Sequence, residues 1–141
     1  MKKKAIISVS SKQQGDAEEI KVVTPGTFYA KDDAYYAEYA ETEISGMEGT
    51  TTTMKIRPNK FSLIRQGSTN AEMDFDKKEK SISMYTTPYG TLELKIETQK
   101  LDVMVDEDGG DIYIKYLLSI VGHDALDTTL KINIKTQEQT G

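Results

Sequence analysis

Apolar and polar residues alternate along much of this chain, most clearly on either side of a Pro/Gly turn at residues 85–91. Behind the turn the order is Leu92-Glu93-Leu94-Lys95-Ile96-Glu97, and the turn itself contains Pro88 and Gly90. Every second side chain of a strand faces the same side, whereas a helix would scatter Leu92, Leu94 and Ile96 around its circumference. The pattern therefore predicts a β-hairpin with one buried face.

Similar segments recur at short spacing, each bounded by residues with turn chemistry. We predict strands over residues 5–11, 18–24, 27–31, 34–41, 50–57, 61–65, 72–75, 81–87, 91–105, 112–120 and 126–136. Pro25-Gly26 and Asp32-Asp33 are predicted turns. The long strand 91–105 is expected to bend near Gln99-Lys100.

Strands at this spacing, with no amphipathic helix between them, indicate an all-β fold. Hairpin-length connections favour an up-and-down meander, and closing the meander removes exposed sheet edges. At 141 residues the chain is one domain by length. We therefore predict a closed antiparallel up-and-down β-barrel spanning residues 1–141, with 136–141 as a frayed tail.

One parity of the predicted strands supplies an apolar lining for this barrel, while the opposite parity is mostly polar. The predicted lining is Met54, Ile56, Phe61, Leu63, Met73, Phe75, Ile82, Met84, Leu92, Leu94, Ile96, Leu101, Val103, Val105, Ile112, Ile114, Leu118, Ile120, Leu130, Ile132 and Ile134. Burying one such side chain contributes about 1.5–3 kcal/mol. This lining is large enough to drive folding of one domain.

Charge and cysteine content exclude several classes of function. Eighteen basic and 23 acidic residues give a net charge of −5, so no global field attracts nucleic acid or anionic lipid, although a local basic patch stays open. The chain has no Cys, which excludes disulfides and thiolate sites. No apolar run approaches the ~18 residues of a spanning helix. We expect a cytoplasmic protein without nucleic-acid or membrane partners.

Motifs for catalysis, metals and cofactors are absent from the sequence. The single histidine, His123, lies in a predicted turn without a nucleophile elbow. The acidic segment 106–111 lacks the glycine and glutamate register of a calcium loop, and no glycine-rich phosphate loop is present. We expect no cofactor, no metal and no enzymatic activity. An enzyme built on carboxylates such as Glu38, Glu41 and Glu48 is the third alternative.

Polar residues on the inner parity mark the candidate site. Thr52 shares its parity with Met54, Arg65 follows the inward Phe61, and Tyr116 falls between inward residues of its strand. An interior guanidinium must be paired or reach water, because an unpaired buried charge is costly. Arg65 therefore either meets an anionic ligand or acts as a structural plug paired with Glu72, Asp74 or a backbone carbonyl.

Several segments in a fixed order resemble the YwiB-like family of uncharacterised bacterial proteins. They are Gly49-Thr50-Thr51-Thr52-Thr53-Met54-Lys55-Ile56, Ile64-Arg65-Gln66-Gly67, Met73-Asp74-Phe75, Tyr85-Thr86-Thr87-Pro88-Tyr89-Gly90 and Tyr116-Leu117-Leu118. The resemblance covers nearly the whole chain and implies a closed antiparallel barrel similar to the calycins, which include lipocalins and fatty-acid-binding proteins. It brings no activity, and the Gly-x-Trp element of true lipocalins is missing because the chain has no Trp.

The leading hypothesis is a non-enzymatic barrel that binds one apolar or amphipathic small molecule. Its candidate ligand-binding residues are Arg65, Tyr116, Thr52, Met54, Phe61, Met73, Phe75 and Met84. The alternative is a protein-interaction or regulatory module with a side-chain-filled barrel, for instance a homodimer. Its motivating feature is the strand carrying Tyr35, Tyr36 and Tyr39, whose aromatics on both parities would leave some exposed.

Overall fold

The computed structural model describes residues 2–13, 19–43, 47–120 and 125–137, and ten antiparallel strands contain most of them. The strands are β1 Lys3–Gln13, β2 Ile20–Lys31, β3 Ala34–Ala40, β4 Thr50–Ile56, β5 Lys60–Gly67, β6 Ala71–Asp76, β7 Ser81–Thr87, β8 Gly90–Asp106, β9 Gly109–Ile120 and β10 Leu126–Thr136. In the described part of the chain, no helix is both long and apolar enough to cross a membrane.

The strands form one sheet in the order β6-β5-β4-β3-β2-β1-β10-β9-β8-β7. Strands that are neighbours in sequence pair with each other except β6 and β7, and β1 pairs with β10, so the sheet curls into a nearly closed up-and-down barrel. The two end strands, β6 and β7, are joined by an isolated bridge: Asn70, the residue before β6, and Thr86 of β7 exchange two backbone hydrogen bonds of 2.8 and 2.9 Å. Ser81 Oγ also donates to the Asp74 carbonyl at 2.7 Å. The predicted all-β meander is confirmed.

The barrel interior is an apolar core contributed by nearly every strand. Phe28, Phe61 and Phe75 are fully buried, and the rings of Phe61 and Phe75 lie 5.9 Å apart. The predicted inward parity is correct on β4, β5, β6, β9 and β10, where residues such as Met54, Ile114 and Ile132 are buried. The sequence prediction therefore located most of the core.

The predicted orientation of β7 is wrong. Ile82 and Met84 are 64% and 56% exposed, whereas Ser83 between them is buried. Ser83 lies opposite the buried Leu94 in the β7–β8 pair, and residues directly opposite each other share a face. The buried Leu94 therefore sets the phase of β7, and Met84 faces solvent opposite Glu93. Leu92, also predicted inside, is 49% exposed at the projecting end of this hairpin.

The predicted turn at Pro25-Gly26 is also wrong, because β2 runs unbroken through both residues. At Pro25 the strand lies opposite Ile6 of β1, and its pairing with β3 begins only at Thr27, so the missing proline N–H removes no hydrogen bond to β3. Gly26 permits a close crossing of strands: a Cβ there would overlap the backbone oxygen of Glu38 and lie 2.5 Å from Ile7 Cδ1. The predicted strands 18–24 and 27–31 are therefore parts of one continuous strand, β2.

Local irregularities fall where the sequence placed them in two other cases. Asp32 and Asp33 form the β2–β3 turn with φ of 49° and 63°. The β8–β9 register shifts between Thr98 and Lys100, which confirms the predicted bend in the long strand. This bulge changes the phase of β8, so that Ile96 and Leu101 both point inward.

The predicted C-terminal tail begins too early. Thr136 is the last residue of β10, and its Oγ1 donates to the Asp108 carbonyl at 2.9 Å. Gln137 N donates to the Lys4 carbonyl at 2.9 Å. The remaining tail positions 138–141, and the predicted turn containing His123, lie outside the described residues.

Candidate functional site

A cavity of about 210 Å³ lies inside the barrel at the end where β3 runs towards β4. We call it the Arg65 cavity. Its apolar lining is Val9, Ile20, Val22, Met47, Leu63, Met73, Phe75 and Leu130, and its polar lining is Ser11, Tyr39, Glu41, Arg65 and Tyr116. The cavity therefore combines an apolar wall with a small polar cluster, which is the usual composition of a ligand site.

The polar side chains come from rows of residues that lie opposite each other across neighbouring strands. On one wall Tyr39 pairs with Thr52, and Thr52 pairs with Arg65. On the other wall Thr98, Tyr116 and Thr128 form a second row across β8, β9 and β10. Residues in one row share a face, so both rows point into the barrel.

The Tyr116 side chain reaches from β9 across the barrel interior to β6. Its ring packs edge-on against Phe75 of β6, with ring centroids 4.8 Å apart. Burial raises the pKa of the Tyr116 hydroxyl, and the positive charge of Arg65 partly opposes that rise. The Tyr116 hydroxyl therefore stays protonated at neutral pH, close enough to Arg65 to feel its charge.

Arg65 has a buried N–H group that donates no hydrogen bond within the described part of the protein. Its Nε atom is buried and has no hydrogen-bond partner, although the residue as a whole is only half-buried. A buried donor without a partner costs about 1–3 kcal/mol, and more for a charged group. Among the described residues, Thr98 Oγ1 of the second row is likewise buried without a partner.

Glu41 is the one carboxylate among the described residues that line the cavity. It is 7% exposed, and its Oε2 accepts a hydrogen bond from Thr52 Oγ1 at 3.1 Å. Burial raises the pKa of Tyr39 above its ordinary range, and the nearby Glu41 charge raises it further, whereas Arg65 opposes both. Tyr39 is thus a second neutral phenol beside the guanidinium.

The predicted site residues divide into four groups. Arg65, Tyr116, Met73 and Phe75 line the cavity together. Thr52 is fully buried beside it, where it holds Glu41. The remaining three lie away from the lining: Met54 and Phe61 are fully buried in the core, and Met84 lies on the outer face of β7, which contradicts its predicted place inside.

Of the three partners proposed for a structural plug, the two carboxylates are not where the plug requires them. Glu72 and Asp74 alternate with the inward Met73 and Phe75, so both carboxylates face outward. Asp74 Oδ1 accepts instead from Ser62 Oγ at 2.6 Å. Arg65 on the inner face therefore does not pair with either carboxylate.

Sequence reasoning missed Tyr39, Glu41, Val9 and Val22 as members of the site. The alternation Tyr35-Ala37-Tyr39-Glu41 carried the signal for β3, since Ala37 is fully buried and fixes the inward parity. The residues of β1 and β2 could be assigned to the inner face by parity. Their place beside Arg65 depends on how the strands tilt around the barrel, which the sequence does not display.

Comparison with known proteins supports the same fold. Residues 6–132 match the family model described as Domain of unknown function (DUF1934). The "Uncharacterized beta-barrel protein YwiB" of Bacillus subtilis (strain 168) is 29% identical over 102 residues, covering 72% of this chain and 70% of that protein. The crystal structure of the ywiB protein from Bacillus subtilis superimposes with a TM-score of 0.84 at 24% identity, over 97% of this chain and 94% of that chain. This chain belongs to the DUF1934 family of YwiB-like β-barrel proteins.

Proposed function

We propose that this barrel is a binding protein for one compact carboxylic acid, held in the Arg65 cavity. The observation that carries the proposal is the buried Arg65 Nε atom without a partner, on a residue that lines a cavity inside the barrel. A guanidinium donates to carboxylates through several N–H groups in a fixed fork and stays charged at any physiological pH. A ligand carboxylate would give the free Nε–H its acceptor.

The neighbouring phenols fit the same ligand. Burial raises the pKa of both Tyr39 and Tyr116, so each keeps its proton at neutral pH. The Tyr39 hydroxyl already hydrogen-bonds to Glu41, which leaves Tyr116 as the phenol that can donate to a ligand. Arg65 influences both hydroxyls, which places the three groups around one region of the cavity. The Arg65 guanidinium and the Tyr116 hydroxyl together suit two carboxylate oxygens, which accept hydrogen bonds and donate none.

The apolar lining and the volume of the cavity limit the polarity and the size of the rest of the ligand. Val9, Val22, Leu63 and Leu130 offer no hydrogen bonds, so they favour an aliphatic or aromatic body. At about 210 Å³ the cavity is smaller than the roughly 300 Å³ at which pockets for drug-sized ligands begin. We therefore expect a short aliphatic or single-ring acid.

The test is a thermal-shift series on the purified protein. Acids of increasing chain length, such as butanoate, hexanoate, octanoate and decanoate, are compared with benzoate and with the matching neutral amides. We expect hexanoate or benzoate to raise the Tm by several degrees near saturation, since a ligand at 100 times its Kd adds about 2.7 kcal/mol. Hexanamide should leave the Tm unchanged.

Two variants locate the response. Arg65→Met removes the guanidinium and should abolish the shift, whereas Met84→Ser on the outer face should keep it. The proposal fails if no acid shifts the Tm, or if Arg65→Met responds as the wild type does. Native mass spectrometry of the freshly purified protein would also measure the mass of any acid that is retained.

A second candidate, an interaction module, is supported by a different surface from the one the sequence suggested. Tyr36 stacks on Tyr29 at 5.1 Å, and Lys55 lies over its ring at 5.9 Å, so this aromatic strand is covered. One group of exposed apolar residues lies instead on the β7–β8 hairpin, where Ile82, Met84 and Leu92 face solvent. Ile82→Ser/Met84→Ser should lower self-association measured by sedimentation velocity if this hairpin mediates it. Unchanged sedimentation would remove this candidate.

A further inference from the structure

The outer face of strands β2, β1, β10, β9 and β8 carries a concentration of positive charge in an otherwise acidic chain. Five exposed lysines lie there in two neighbouring rows, and we call them the lysine stripe: Lys12, Lys21, Lys100, Lys115 and Lys131. The strand pairing brings them together from positions far apart in sequence. The net charge of −5 therefore conceals a local basic surface.

Register places each lysine in the stripe. In one row Lys12 lies opposite Thr129, Thr129 opposite Lys115, and Lys115 opposite Lys100. In the next row Lys21 lies opposite Ser10, Ser10 opposite Lys131, and Lys131 opposite Tyr113. The rows are two residues apart on each strand, so they share one face.

Asp102 lies in the second row opposite Tyr113, and Asp111, Glu97 and Asp127 lie in the adjoining rows of the same face. Asp102 Oδ2 is 3.6 Å from Lys100 Nζ, and Asp111 Oδ1 accepts from Asn133 Nδ2 at 2.8 Å in the adjoining row. Lys12, Lys21, Lys115 and Lys131 have no ion pair among the described residues. Within the two rows five lysines outnumber the single carboxylate, Asp102, and four of them have no ion pair in the described part of the chain, which favours an anionic partner.

The surface also has a shape and an aromatic group. An open groove of about 410 Å³ runs over Ser10, Lys21, Lys131 and Tyr113, and its lining also includes Asp111, whose carboxylate accepts from Asn133. Tyr113 is half-buried, with Lys100 Nζ 5.5 Å from its ring centroid. A basic groove with an aromatic ring beside it is the arrangement that binds single-stranded nucleic acid without sequence preference.

We propose that the lysine stripe binds the phosphate backbone of single-stranded nucleic acid, with Tyr113 stacking on one base. The five strands span roughly 19 Å at about 4.8 Å each, enough for a short stretch of backbone. Ser10 and Thr129 hydroxyls between the lysines can donate to phosphate oxygens. This outer site is separate from the Arg65 cavity and does not depend on what the cavity binds.

The experiment is fluorescence anisotropy with a labelled oligouridylate about ten nucleotides long, titrated with the full chain at several salt concentrations. Neutralising four phosphates predicts a slope of log Kobs against log salt of about −3. Lys115→Gln/Lys131→Gln removes two of the four contacts and should reduce the slope to about −1.5. Lys77→Gln/Lys78→Gln, on the β6–β7 turn, is the matched control and should bind as the wild type does.

Tyr113→Leu separates stacking from charge. It should weaken binding roughly fivefold to tenfold without changing the salt slope. All variants must keep the wild-type Tm, which the exposed positions of the lysines favour. The proposal is overturned if the wild type does not bind at low salt, or if Lys115→Gln/Lys131→Gln binds equally well. It is also overturned if polyglutamate displaces the oligouridylate as efficiently as unlabelled oligouridylate does, because that result would indicate an acidic protein partner.

Discussion

Among individual residues, Arg65 has surroundings that the needs of the fold do not explain. Its neighbours Thr52 and Glu41 are hydrogen-bonded to each other, because Thr52 Oγ1 donates to Glu41. The buried Arg65 Nε, in contrast, donates no hydrogen bond to any described residue. Groups kept at a cost to stability are concentrated at functional sites. The same arginine would therefore limit the stability of the empty protein and supply the affinity for an acid.

This view makes a prediction for the protein without ligand. Arg65→Met replaces the guanidinium by an apolar side chain of similar length, so we expect the free energy of unfolding to stay equal or to rise by about 1 kcal/mol. Thr52→Val is the comparison variant: it removes one of the two donors, Thr52 and Tyr39, from the buried Glu41 carboxylate and should cost about 1–3 kcal/mol. Urea unfolding measures both. A loss of about 3 kcal/mol or more in Arg65→Met would show that Arg65 is a structural plug.

A second residue prediction concerns pH. The Tyr29 hydroxyl donates to Glu38 Oε1 at 2.5 Å, and this hydrogen bond is the main cause that raises the pKa of Tyr29 to about 12. A raised pKa favours the protonated phenol in the folded state, so its stabilising effect is complete below about pH 10 and is lost as the pH rises through about 12. Glu38→Gln should move the Tyr29 pKa back towards 10, as followed by NMR. Glu72→Gln, on an exposed residue, should leave it unchanged.

Among the strands, alternation predicted which segments are extended better than it predicted which face is buried. In β7 the residues Ile82 and Met84 compete with Ser83 and Tyr85 for the inner face, and the sequence favours the more apolar pair. Pairing with β8 decides otherwise, because Leu94 must be inside and Ser83 lies opposite it. The phase of a weakly apolar strand thus depends on its neighbour, which single-strand periodicity does not include.

Two methionines test this orientation with the same chemical change. Met73 is 6% exposed on β6 and Met84 is 56% exposed on β7. Met73→Ala should destabilise the protein by about 2–5 kcal/mol because it opens a hole in the packed interior. Met84→Ala should change stability by less than about 0.5 kcal/mol. Equal losses in thermal unfolding would mean that β7 turns its Met84 face inward.

Gly26 gives the corresponding prediction for β2. Gly26→Ala would press a methyl group onto the Glu38 carbonyl and Ile7, so we expect a loss of about 2–3 kcal/mol. Gly90→Ala is the control for backbone strain alone: position 90 has φ of +136° and nothing within 4 Å of an added Cβ. It should cost about 1 kcal/mol. A Gly26→Ala protein as stable as the wild type would contradict the close strand crossing.

At the scale of the whole molecule, the barrel followed from features that the sequence displays directly. Short connections force neighbouring segments to pair in antiparallel fashion, and the apolar parity of β4, β5, β6, β9 and β10 supplies the core. The candidate site depends on a further quantity, the tilt of the strands. Parity shows that Arg65 and Tyr116 point inward, but only the closed barrel brings them together with Tyr39 and Val22.

The outer surface shows a similar difference between the net charge of the chain and the placement of its charged residues. The composition gives one net charge, whereas the register sorts five lysines onto one face. Partner predictions based on net charge alone therefore miss surfaces assembled by strand pairing. The interior site and the lysine stripe are independent features, on opposite faces of the same sheet.

Isothermal titration of hexanoate into the wild-type protein and Arg65→Met, with hexanamide as the neutral ligand, tests the central claim most directly. The account predicts one hexanoate per barrel in the wild type, binding at least roughly tenfold weaker in Arg65→Met, and no measurable binding of hexanamide. Equal binding of hexanoate by the two proteins, or equal binding of acid and amide by the wild type, would contradict it.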